Sequence, residues 1–426
     1  MRRTSTVDIK IQAVSAAFMG FLQIKVVSFY GAASVFSSVK ARNGHLQTRT
    51  SSPKLGAQEY IMQNWMKVVA MVVVLTGGAC VQSNTTSGHP ATNATSYRAL
   101  GRHVVTEAGH LQFAWPASGI ETRFQGRRLS VTLEDTGSNI LDITIDGNTQ
   151  MLHLKKGQHD YVLMDENSAR QHNVTITRRS EIFDNGLTEL VSLDTDGQFL
   201  QTPAPARRIL VLGDSISVGF GAEGADENCE YTPETGAPLR SYVALSANAF
   251  GADLHDVAIS GRGLIRNYDE SPDPLMPYLL DKALPDTQTD WDHSAYQPHV
   301  ILINLGTNDY ALGDPGEGFY TAYVKLLGTL RAYHPNARIY AAYSPMGVIE
   351  PDRISAVEYT KRALETRRKS GDENIGYIYL PQAESGHIYG CAYHPGIDSH
   401  KAMADVFIDR LAADMGWAKT PSLPRP

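Results

Sequence analysis

The C-terminal half of the chain alternates short apolar runs with helix-length segments, and this alternation constrains the fold more than any other feature. The runs are nearly continuous, which is typical of strands covered on both faces. We therefore predict a parallel sheet between two layers of helices over residues 207–417, with ligands beyond the carboxyl ends of its strands. The predicted strands are 209–212, 254–259, 299–305, 337–343 and 375–380, and the predicted helices are 241–250, 319–333, 355–370 and 399–415.

Four short motifs lie just beyond these strands. Ser215 ends a Gly-Asp-Ser turn after the first strand, and Gly261 lies in Ser-Gly-Arg-Gly after the second. Asn308 follows the third strand in Gly-Thr-Asn-Asp, and His394 lies between the fifth strand and the last helix. Because the carboxyl ends of parallel strands meet at one edge of a sheet, we expect the four residues to converge.

Together these residue types meet the demands of acyl transfer. A serine hydroxyl needs a base to remove its proton, and the tetrahedral intermediate needs fixed donors for its oxyanion. We predict Ser215 as the nucleophile and His394 as the base. The backbone N–H groups of Ser215 and Gly261 and the side-chain amide of Asn308 are the predicted oxyanion donors. Taken singly, the glycine could serve a plain turn, and Asn308 with Asp309 could cap a helix.

Residues 98–201 follow a different pattern, in which short segments alternate apolar and polar side chains. Glycine-containing turns such as Asp146-Gly147 separate them, which predicts a small antiparallel β-sandwich before a linker at 202–207. This domain either supports the second one or binds carbohydrate, and Phe113 and Trp115 could form a sugar platform or belong to the core. The predicted strands include 129–133, 141–145, 151–154, 161–163 and 173–177.

Residues 66–80 have the three parts of an export signal. Lys67 supplies the positive start, residues 68–75 form an apolar core too short to cross a bilayer, and residues 76–79 are small. The segment ends at Cys80 and also resembles a bacterial lipoprotein signal, in which that cysteine carries a lipid anchor. A buried helix is the alternative. We therefore expect an exported protein, either periplasmic, an outer-membrane lipoprotein or extracellular, whose membrane attachment is limited to such an anchor.

The signal is internal to the chain. We therefore expect translation to start at Met62 or Met66, with residues 1–80 comprising an upstream extension and the signal. The rival hypothesis is that the first segment is itself a targeting sequence. Residues 81–97 have the composition of a polar tether, and residues 418–426 form a short tail.

The overall composition argues against several partners. The 426 residues carry a formal net charge of -7 and show no basic footprint, so nucleic acid is not an expected partner. The three cysteines, Cys80, Cys229 and Cys391, form no Cys-x-x-Cys pair. A structural metal site is therefore not expected.

The motifs resemble those of the SGNH (GDSL-type) hydrolases, a resemblance carried by the blocks Gly213-Asp214-Ser215, Gly261, Asn308-Asp309 and His394-Pro395. Longer segments are similar to one branch of that superfamily, carbohydrate esterase family two. These segments are 113–124, 260–269, 291–298 and 390–395, and the resemblance covers residues 98–417. It implies a flavodoxin-like three-layer α/β domain preceded by a jelly-roll-like sandwich.

The resemblance also implies an activity. Members of this branch are serine esterases that remove acetyl groups from plant-type polysaccharides such as acetylated xylan or glucomannan, often at the 6-position, without a metal or cofactor. The acetylated carbohydrate is then the partner. Another acyl hydrolase, such as a lipase or thioesterase, is the nearest rival. A rival of a different class is a surface lipoprotein that binds carbohydrate and is catalytically inactive.

One position departs from the superfamily pattern. Many SGNH hydrolases place an aspartate two or three residues before the histidine, but Ala392 and Cys391 stand there in this chain. Either a backbone carbonyl orients His394, giving a Ser–His dyad, or an acid from elsewhere does. Asp398 is a poor candidate because it begins the last helix, in which His400 is predicted to serve packing.

The cysteines offer a further hypothesis. If Cys80 is lipidated, Cys229 and Cys391 remain as a pair, and both lie in loops at the predicted rim of the site. Export would allow a disulfide between them, and that bond would hold the histidine loop without an aspartate. Two free buried cysteines are the alternative.

Overall fold

The computed structural model describes residues 9–14, 22–30, 33–42, 45–50, 96–285, 287–344, 346 and 351–420. The predicted export signal with Cys80, the candidate start residues Met62 and Met66, tether residues 81–95 and the end of the tail lie outside the described residues. The chain forms two compact units, residues 1–88 and 89–426. The first contains an antiparallel sheet with strands in chain order: β1 (Ile9–Val14), β2 (Leu22–Tyr30), β3 (Ala33–Arg42) and β4 (His45–Thr50).

The second unit begins with an antiparallel sheet of nine strands. Its spatial order is β10-β9-β11-β8-β12-β7-β6, with β5 and β13 also paired to β8. The strands are β5 (Arg98–Leu100), β6 (His103–Val105), β7 (Leu111–Phe113), β8 (Gly119–Asp135), β9 (Ile140–Ile145), β10 (Asn148–His153), β11 (Gly157–Arg178), β12 (Thr188–Thr195) and β13 (Gln198–Leu200).

Two long strands, β8 and β11, pair with each other in the interior of this sheet. The predicted strands at 161–163 and 173–177 are both parts of β11, so the prediction of two separate strands there was wrong. The register of β11 against β8 shifts between Val162 and Met164 and between Asp165 and Arg170. Extra residues in one strand let it bend and continue without a turn, which the local sequence pattern does not distinguish from a loop.

The aromatic residues near the start of this sheet belong to the core. Phe113 and Trp115 are each 1% exposed, so the sugar-platform interpretation of these two side chains was wrong. The Trp115 indole N–H donates to the Ala283 carbonyl at 2.8 Å, and its ring packs with buried residues of the following domain, including Leu279. The antiparallel sheet is therefore joined to that domain through a buried side chain.

Residues 207–379 contain a five-stranded parallel sheet, as predicted. Its order β15-β14-β16-β17-β18 places the first strand in chain order between the second and third, which is the flavodoxin-like arrangement. Each strand begins and ends within two residues of its predicted bounds. The strands are β14 (Arg207–Gly213), β15 (Ala252–Ala258), β16 (Val300–Asn304), β17 (Arg338–Tyr343) and β18 (Ile375–Tyr379).

Helices cover both faces of this sheet. The helices are α1 (Ile182–Asn185), α2 (Ser215–Val218), α3 (Tyr242–Ala249), α4 (Met276–Leu279), α5 (Glu317–Tyr333), α6 (Pro351–Lys369) and α7 (Ile397–Met415). Among the described helices, α1, α2 and α4 are short, with four residues each, and the four longer ones, α3, α5, α6 and α7, cover the faces of the sheet. None of the described helices is long and apolar enough to cross a membrane.

The three-layer packing explains the continuous apolar strands. Leu210 and Leu212 of β14 pack in one buried cluster with side chains of α5 and α6. Ile209 and Val211 of the same strand pack in a second cluster with side chains of α3 and α7. Because successive side chains of a strand point to opposite faces, a strand covered on both sides must be apolar at every position.

Candidate active site

Ser215 begins α2, with one residue between it and the end of β14, an interior strand of the parallel sheet. Asp214 is the N-cap of this helix: its backbone is extended, and its Oδ1 accepts from the Ile216 N–H at 3.1 Å. The N–H groups of a first helical turn have no acceptor within their own helix, so the Ser215 N–H faces the space beyond the strand end. The Gly-Asp-Ser turn therefore places a nucleophile and a donor together.

His394 lies within hydrogen-bond distance of this serine. Its Nε2 is 2.8 Å from Ser215 Oγ, and its Nδ1 is 3.1 Å from the Ala392 carbonyl oxygen. A carbonyl only accepts, so Nδ1 carries the proton and Nε2 is the atom that accepts from the serine hydroxyl. Of the two alternatives for orienting the ring, the structure shows the backbone carbonyl.

The candidate acid at the start of the last helix serves another contact. Asp398 lies in the first turn of α7 and accepts from the His387 N–H at 2.7 Å. His400, two residues later, is fully buried, and its Nδ1 accepts from the Tyr242 N–H at 3.2 Å. Both residues therefore hold the last helix in place, which agrees with the packing role predicted for His400.

The loop that carries His394 has an unusual backbone. Ala392 and Tyr393 have φ values of 52° and 60°, in the left-handed region that residues with a Cβ seldom adopt. The loop is held in that conformation by its surroundings: Cys391 forms a disulfide with Cys229, and the Ala392 N–H donates to the Cys229 carbonyl at 3.1 Å. These cross-links fix the direction of the carbonyl that orients the histidine.

Gly261 lies in the loop after β15, and its position requires a glycine. Its φ is 79°, and a Cβ there would lie 2.8 Å from the Tyr268 ring. Its carbonyl accepts from the Tyr268 N–H at 3.1 Å, which closes the loop into a turn. The missing side chain lets the backbone come close to a bound group, as an oxyanion donor must.

Asn308 connects the loops that follow β14 and β15. Its side chain is almost buried, and its Nδ2 donates to the Arg262 carbonyl at 2.9 Å. The same nitrogen donates to Asp214 Oδ2 at 3.4 Å, a long bond to the residue that precedes Ser215. The alternative role as a helix cap was wrong, because the next helix begins at Glu317 with Gly316 as its N-cap.

Asp309 is a structural residue of the site that the sequence analysis did not identify. Its carboxylate is fully buried and accepts three backbone N–H groups, from Leu264, Ile265 and Arg266, at 3.0, 2.7 and 3.1 Å. Burial raises its pKa, although those three N–H groups act in the opposite direction. The sequence signal was the acid directly after Asn308, which connects the asparagine loop to the glycine loop.

Aromatic side chains surround the histidine. The Phe220 ring lies 4.4 Å from the His394 ring, and Tyr231 stacks on Phe220 at 4.0 Å. Tyr393, the residue before His394, is 55% exposed. Phe220 and Tyr231 are far from His394 in the sequence, and no local pattern marked them. Burial of the imidazole lowers the pKa of His394 to about 4, while its bonds to the backbone of Ala392 and Cys391 act to raise it.

The arrangement defines a class of protein. A parallel sheet of flavodoxin-like order carries a serine–histidine pair at the carboxyl ends of its strands, beside a glycine and an asparagine from the next two strands. A nucleophile with its base, next to backbone and amide donors, is the arrangement of a serine ester hydrolase.

Comparisons with known proteins agree with this class. The family model "Carbohydrate esterase 2 N-terminal" matches residues 99–203, and the model "GDSL-like Lipase/Acylhydrolase family" matches residues 211–401. An acetylxylan esterase / glucomannan deacetylase of Cellvibrio japonicus is 31% identical over 372 residues, which are 83% of this chain and 100% of that protein. The chain therefore belongs to carbohydrate esterase family two and is a carboxylic ester hydrolase.

Other relatives show the same family. The cellulase/esterase CelE of Acetivibrio thermocellus is 30% identical over 323 residues, which cover 74% of this chain but 39% of that longer protein. A family two carbohydrate esterase from Clostridium thermocellum in complex with cellohexaose has a TM-score of 0.72 at 29% identity, covering 75% of this chain and 99% of that one. A family two esterase from Cellvibrio japonicus has a TM-score of 0.68 at 28% identity, covering 76% and 96%.

The low pKa of His394 predicts an unusual pH profile. As a base the ring must be neutral, so kcat/KM for an aryl acetate should hold through mildly acidic pH and fall as pH drops through about 4. Steady-state rates across pH, with re-assay at neutral pH to exclude denaturation, provide the measurement. An inflection near 6.5, the ordinary histidine value, would contradict the environment described for the ring.

The disulfide predicts a coupled loss of activity and stability. Replacing Cys229 and Cys391 together by serine should lower kcat roughly 10- to 100-fold, because the carbonyl that orients the base is no longer held. The free energy of unfolding should fall by about 2–4 kcal/mol. Reductant should inhibit the native enzyme and leave the double variant unaffected. Detection of two free thiols in exported, active enzyme by mass spectrometry would refute the disulfide.

Proposed function

We propose that this protein removes O-acetyl groups from acetylated plant-type polysaccharides or oligosaccharides, such as xylan or glucomannan, through an acetyl-serine intermediate. The observation that carries the proposal is the 2.8 Å contact between His394 Nε2 and Ser215 Oγ, with Nδ1 held by a carbonyl. It also argues against an inactive carbohydrate-binding protein. Relatives named acetylxylan esterase / glucomannan deacetylase support the choice of substrate.

The reaction follows from the positions of these groups. His394 Nε2 takes the hydroxyl proton as Ser215 Oγ attacks the acetyl carbonyl carbon, and the carbonyl oxygen becomes an oxyanion. The N–H groups of Ser215 and Gly261 and the amide of Asn308 donate to that oxygen. The imidazolium then returns the proton to the departing sugar oxygen, which leaves acetyl-serine. Water, deprotonated by the same nitrogen, releases acetate by the reverse sequence of steps.

The surroundings of the pair support a sugar ester as substrate. Phe220, Tyr231 and the exposed Tyr393 offer apolar ring faces beside His394, a surface suited to the C–H face of a sugar ring. Surface cavities of about 750 and 330 Å³ occur elsewhere on the second unit, and neither is lined by Ser215 or His394. The aromatic surface beside His394 favours a sugar ester as substrate.

A preference for the 6-position is part of the proposal. In a hexose the 6-oxygen is carried on an exocyclic carbon, so its acetyl group projects farther from the polymer than esters of ring hydroxyls. Ser215 is 4% exposed, and such an ester can reach it without the whole sugar ring having to enter the site. Esters at ring positions approach the same serine only if the ring itself tilts toward the rim.

We further propose that the protein is exported and lipid-anchored through Cys80. The charged start, short apolar core and small residues of segment 66–80 support export. A disulfide between Cys229 and Cys391 is consistent with an oxidising compartment outside the cytoplasm. An extracytoplasmic location also suits an enzyme whose substrate is a polysaccharide.

Replacing the nucleophile tests the proposed chemistry. Ser215→Ala should lower aryl-acetate hydrolysis roughly 10⁴-fold or more and leave the circular dichroism spectrum unchanged. Ser217→Ala, two residues along the same helix, is the control variant and should keep most of the activity. Time-resolved NMR of native enzyme with a fully acetylated glucoside should show loss of the 6-acetyl signal first. Retained activity in Ser215→Ala, or equal rates on acetyl and octanoyl esters, would refute the proposal.

Lipid anchoring has its own test. In a bacterial host, the native chain should incorporate labelled palmitate and sediment with membranes, because the thiol of Cys80 is the proposed acceptor. Cys80→Ser should lose the label and no longer sediment with membranes. Palmitate labelling that persists in Cys80→Ser, or native protein confined to the cytoplasm, would contradict the proposed anchor.

A further inference from the structure

The antiparallel sheet reaches the active site through one turn. Residues 178–181 connect β11 to α1, and two charged side chains of this turn, Arg179 and Glu181, are 6% and 3% exposed. Both make contacts with loops of the parallel-sheet domain. Buried charged groups are costly unless they are paired, so these contacts are a defined part of the interface.

Glu181 binds the residue that precedes the oxyanion glycine. Its Oε2 accepts from the Ser260 N–H at 2.9 Å, and its Oε1 accepts from the Ser260 hydroxyl at 2.5 Å. The carboxylate therefore holds Ser260 by its backbone and its side chain at once. Such bidentate, charge-assisted bonds restrict the orientation of a residue more than a single neutral bond does.

The direction of the Gly261 N–H depends on these two hydrogen bonds between Glu181 and Ser260. That N–H belongs to the peptide plane between Ser260 and Gly261, so the conformation of Ser260 sets where it points. A glycine has no side chain to anchor it and readily visits other conformations. Downstream, the loop is held by Tyr268 and by the contact between Arg262 and Asn308. On the N-terminal side of Gly261, the side chain of Glu181 holds the same loop through Ser260.

Arg179 contacts the loop on the other side of the site. Its guanidinium forms ion pairs with Asp142 and with Glu223 and donates to the Glu234 carbonyl at 2.8 Å. Glu223 also pairs with Arg240 at 2.8 Å. Segment 223–234 contains Cys229, the disulfide partner of the histidine loop. The same turn of the antiparallel sheet therefore touches both the oxyanion loop and the loop that supports the base.

We propose that Glu181 is a positioning residue for ester hydrolysis and that the antiparallel-sheet domain, through it, completes the oxyanion site. This inference rests on the proposed roles of Ser215 and Gly261 and adds a function for the N-terminal domain. Glu181 does not touch the substrate. It acts by holding Ser260 so that the next peptide N–H meets the oxyanion.

The structure offers a matched control for this proposal. Arg98 pairs with Asp253 at 2.6 Å and joins the same two domains, but at the amino end of β15. Ala258 lies five positions after Asp253 along the strand, a distance on the order of 15 Å. Arg98→Ala therefore removes an interdomain ion pair without altering the Ser260 contact. Any loss due simply to a weaker interface should appear in both variants.

The experiment compares Glu181→Ala, Glu181→Gln and Arg98→Ala with the native enzyme. Glu181→Ala should lower kcat for an aryl acetate roughly 10- to 100-fold with little change in KM, because displacing an oxyanion donor affects the transition state. It should weaken inhibition by a boronic acid, whose tetrahedral adduct presents an oxyanion, by a similar factor. Glu181→Gln should recover most of the activity, since its amide can accept from the Ser260 N–H and donate to the hydroxyl.

A second pair of variants guards against misfolding of Glu181→Ala. Ser260→Ala removes one of the two bonds and should lower kcat by a smaller factor. The double variant Glu181→Ala/Ser260→Ala should be no worse than Glu181→Ala, because the two residues act through one contact. Additive losses, or an equal loss of kcat in Arg98→Ala and Glu181→Ala, would overturn the positioning role.

The outcomes also separate this inference from the proposed function. If Ser215→Ala is inactive while Glu181→Ala has native kcat and native boronic acid affinity, the positioning role of Glu181 is refuted and the serine mechanism stands. If Ser215→Ala remains active, both are refuted. A loss of kcat in Glu181→Ala that Glu181→Gln restores, with Arg98→Ala near native, supports both.

Discussion

The orientation of His394 by a peptide carbonyl is the interaction on which the rest of the site depends. A carboxylate on a separate element could adjust to the ring, but the Ala392 carbonyl belongs to the same loop, two residues away. Its direction is set by the backbone of that loop alone. The left-handed conformations of Ala392 and Tyr393 turn the carbonyl toward Nδ1, and the disulfide and the backbone bonds of the loop, including that to Cys229, stabilise them. The fixed Ala392 carbonyl thus takes the place of the aspartate that many SGNH hydrolases have.

The use of a backbone carbonyl in place of a carboxylate changes the electrostatics around His394. A neutral carbonyl dipole stabilises the imidazolium less than a full negative charge does, and burial of the ring, with Phe220 packed against it, disfavours the charged form. Both effects agree with a pKa lowered to about 4, which keeps the base neutral well below the ordinary histidine range. In the proposed mechanism a weaker base gives less help in deprotonating Ser215, so a larger share of the transition-state stabilisation falls to the proposed oxyanion donors. Their placement then matters more than it would beside a full triad.

The features that could be predicted from the sequence are those that depend on the pattern of residue types along the chain. Strands buried on both faces are apolar at each position, so β14 to β18 and their order relative to the motifs could be read from the chain, and Ser215 and His394 were placed together on that basis. The Ala392 carbonyl could not be predicted, because every residue has one and its direction depends on a loop closed across 162 residues by the disulfide. Asp309 was missed for a similar reason: its three N–H partners are identified by geometry rather than by residue type.

Contacts between residues remote in sequence also explain what the antiparallel sheet contributes to the site. Three loops form the site. The serine turn is held locally by its helix cap, Asp214, whereas the other two are held by groups remote in sequence: the histidine loop by Cys229, and the glycine loop by Asp309 on one side and Glu181 on the other. Short loops beyond parallel strands have few local contacts, and a glycine needed for close approach weakens them further. A second domain packed beside the sheet supplies a buried carboxylate that the sheet's own helices do not place there. Oxyanion geometry is then a property of the domain interface as much as of the catalytic domain.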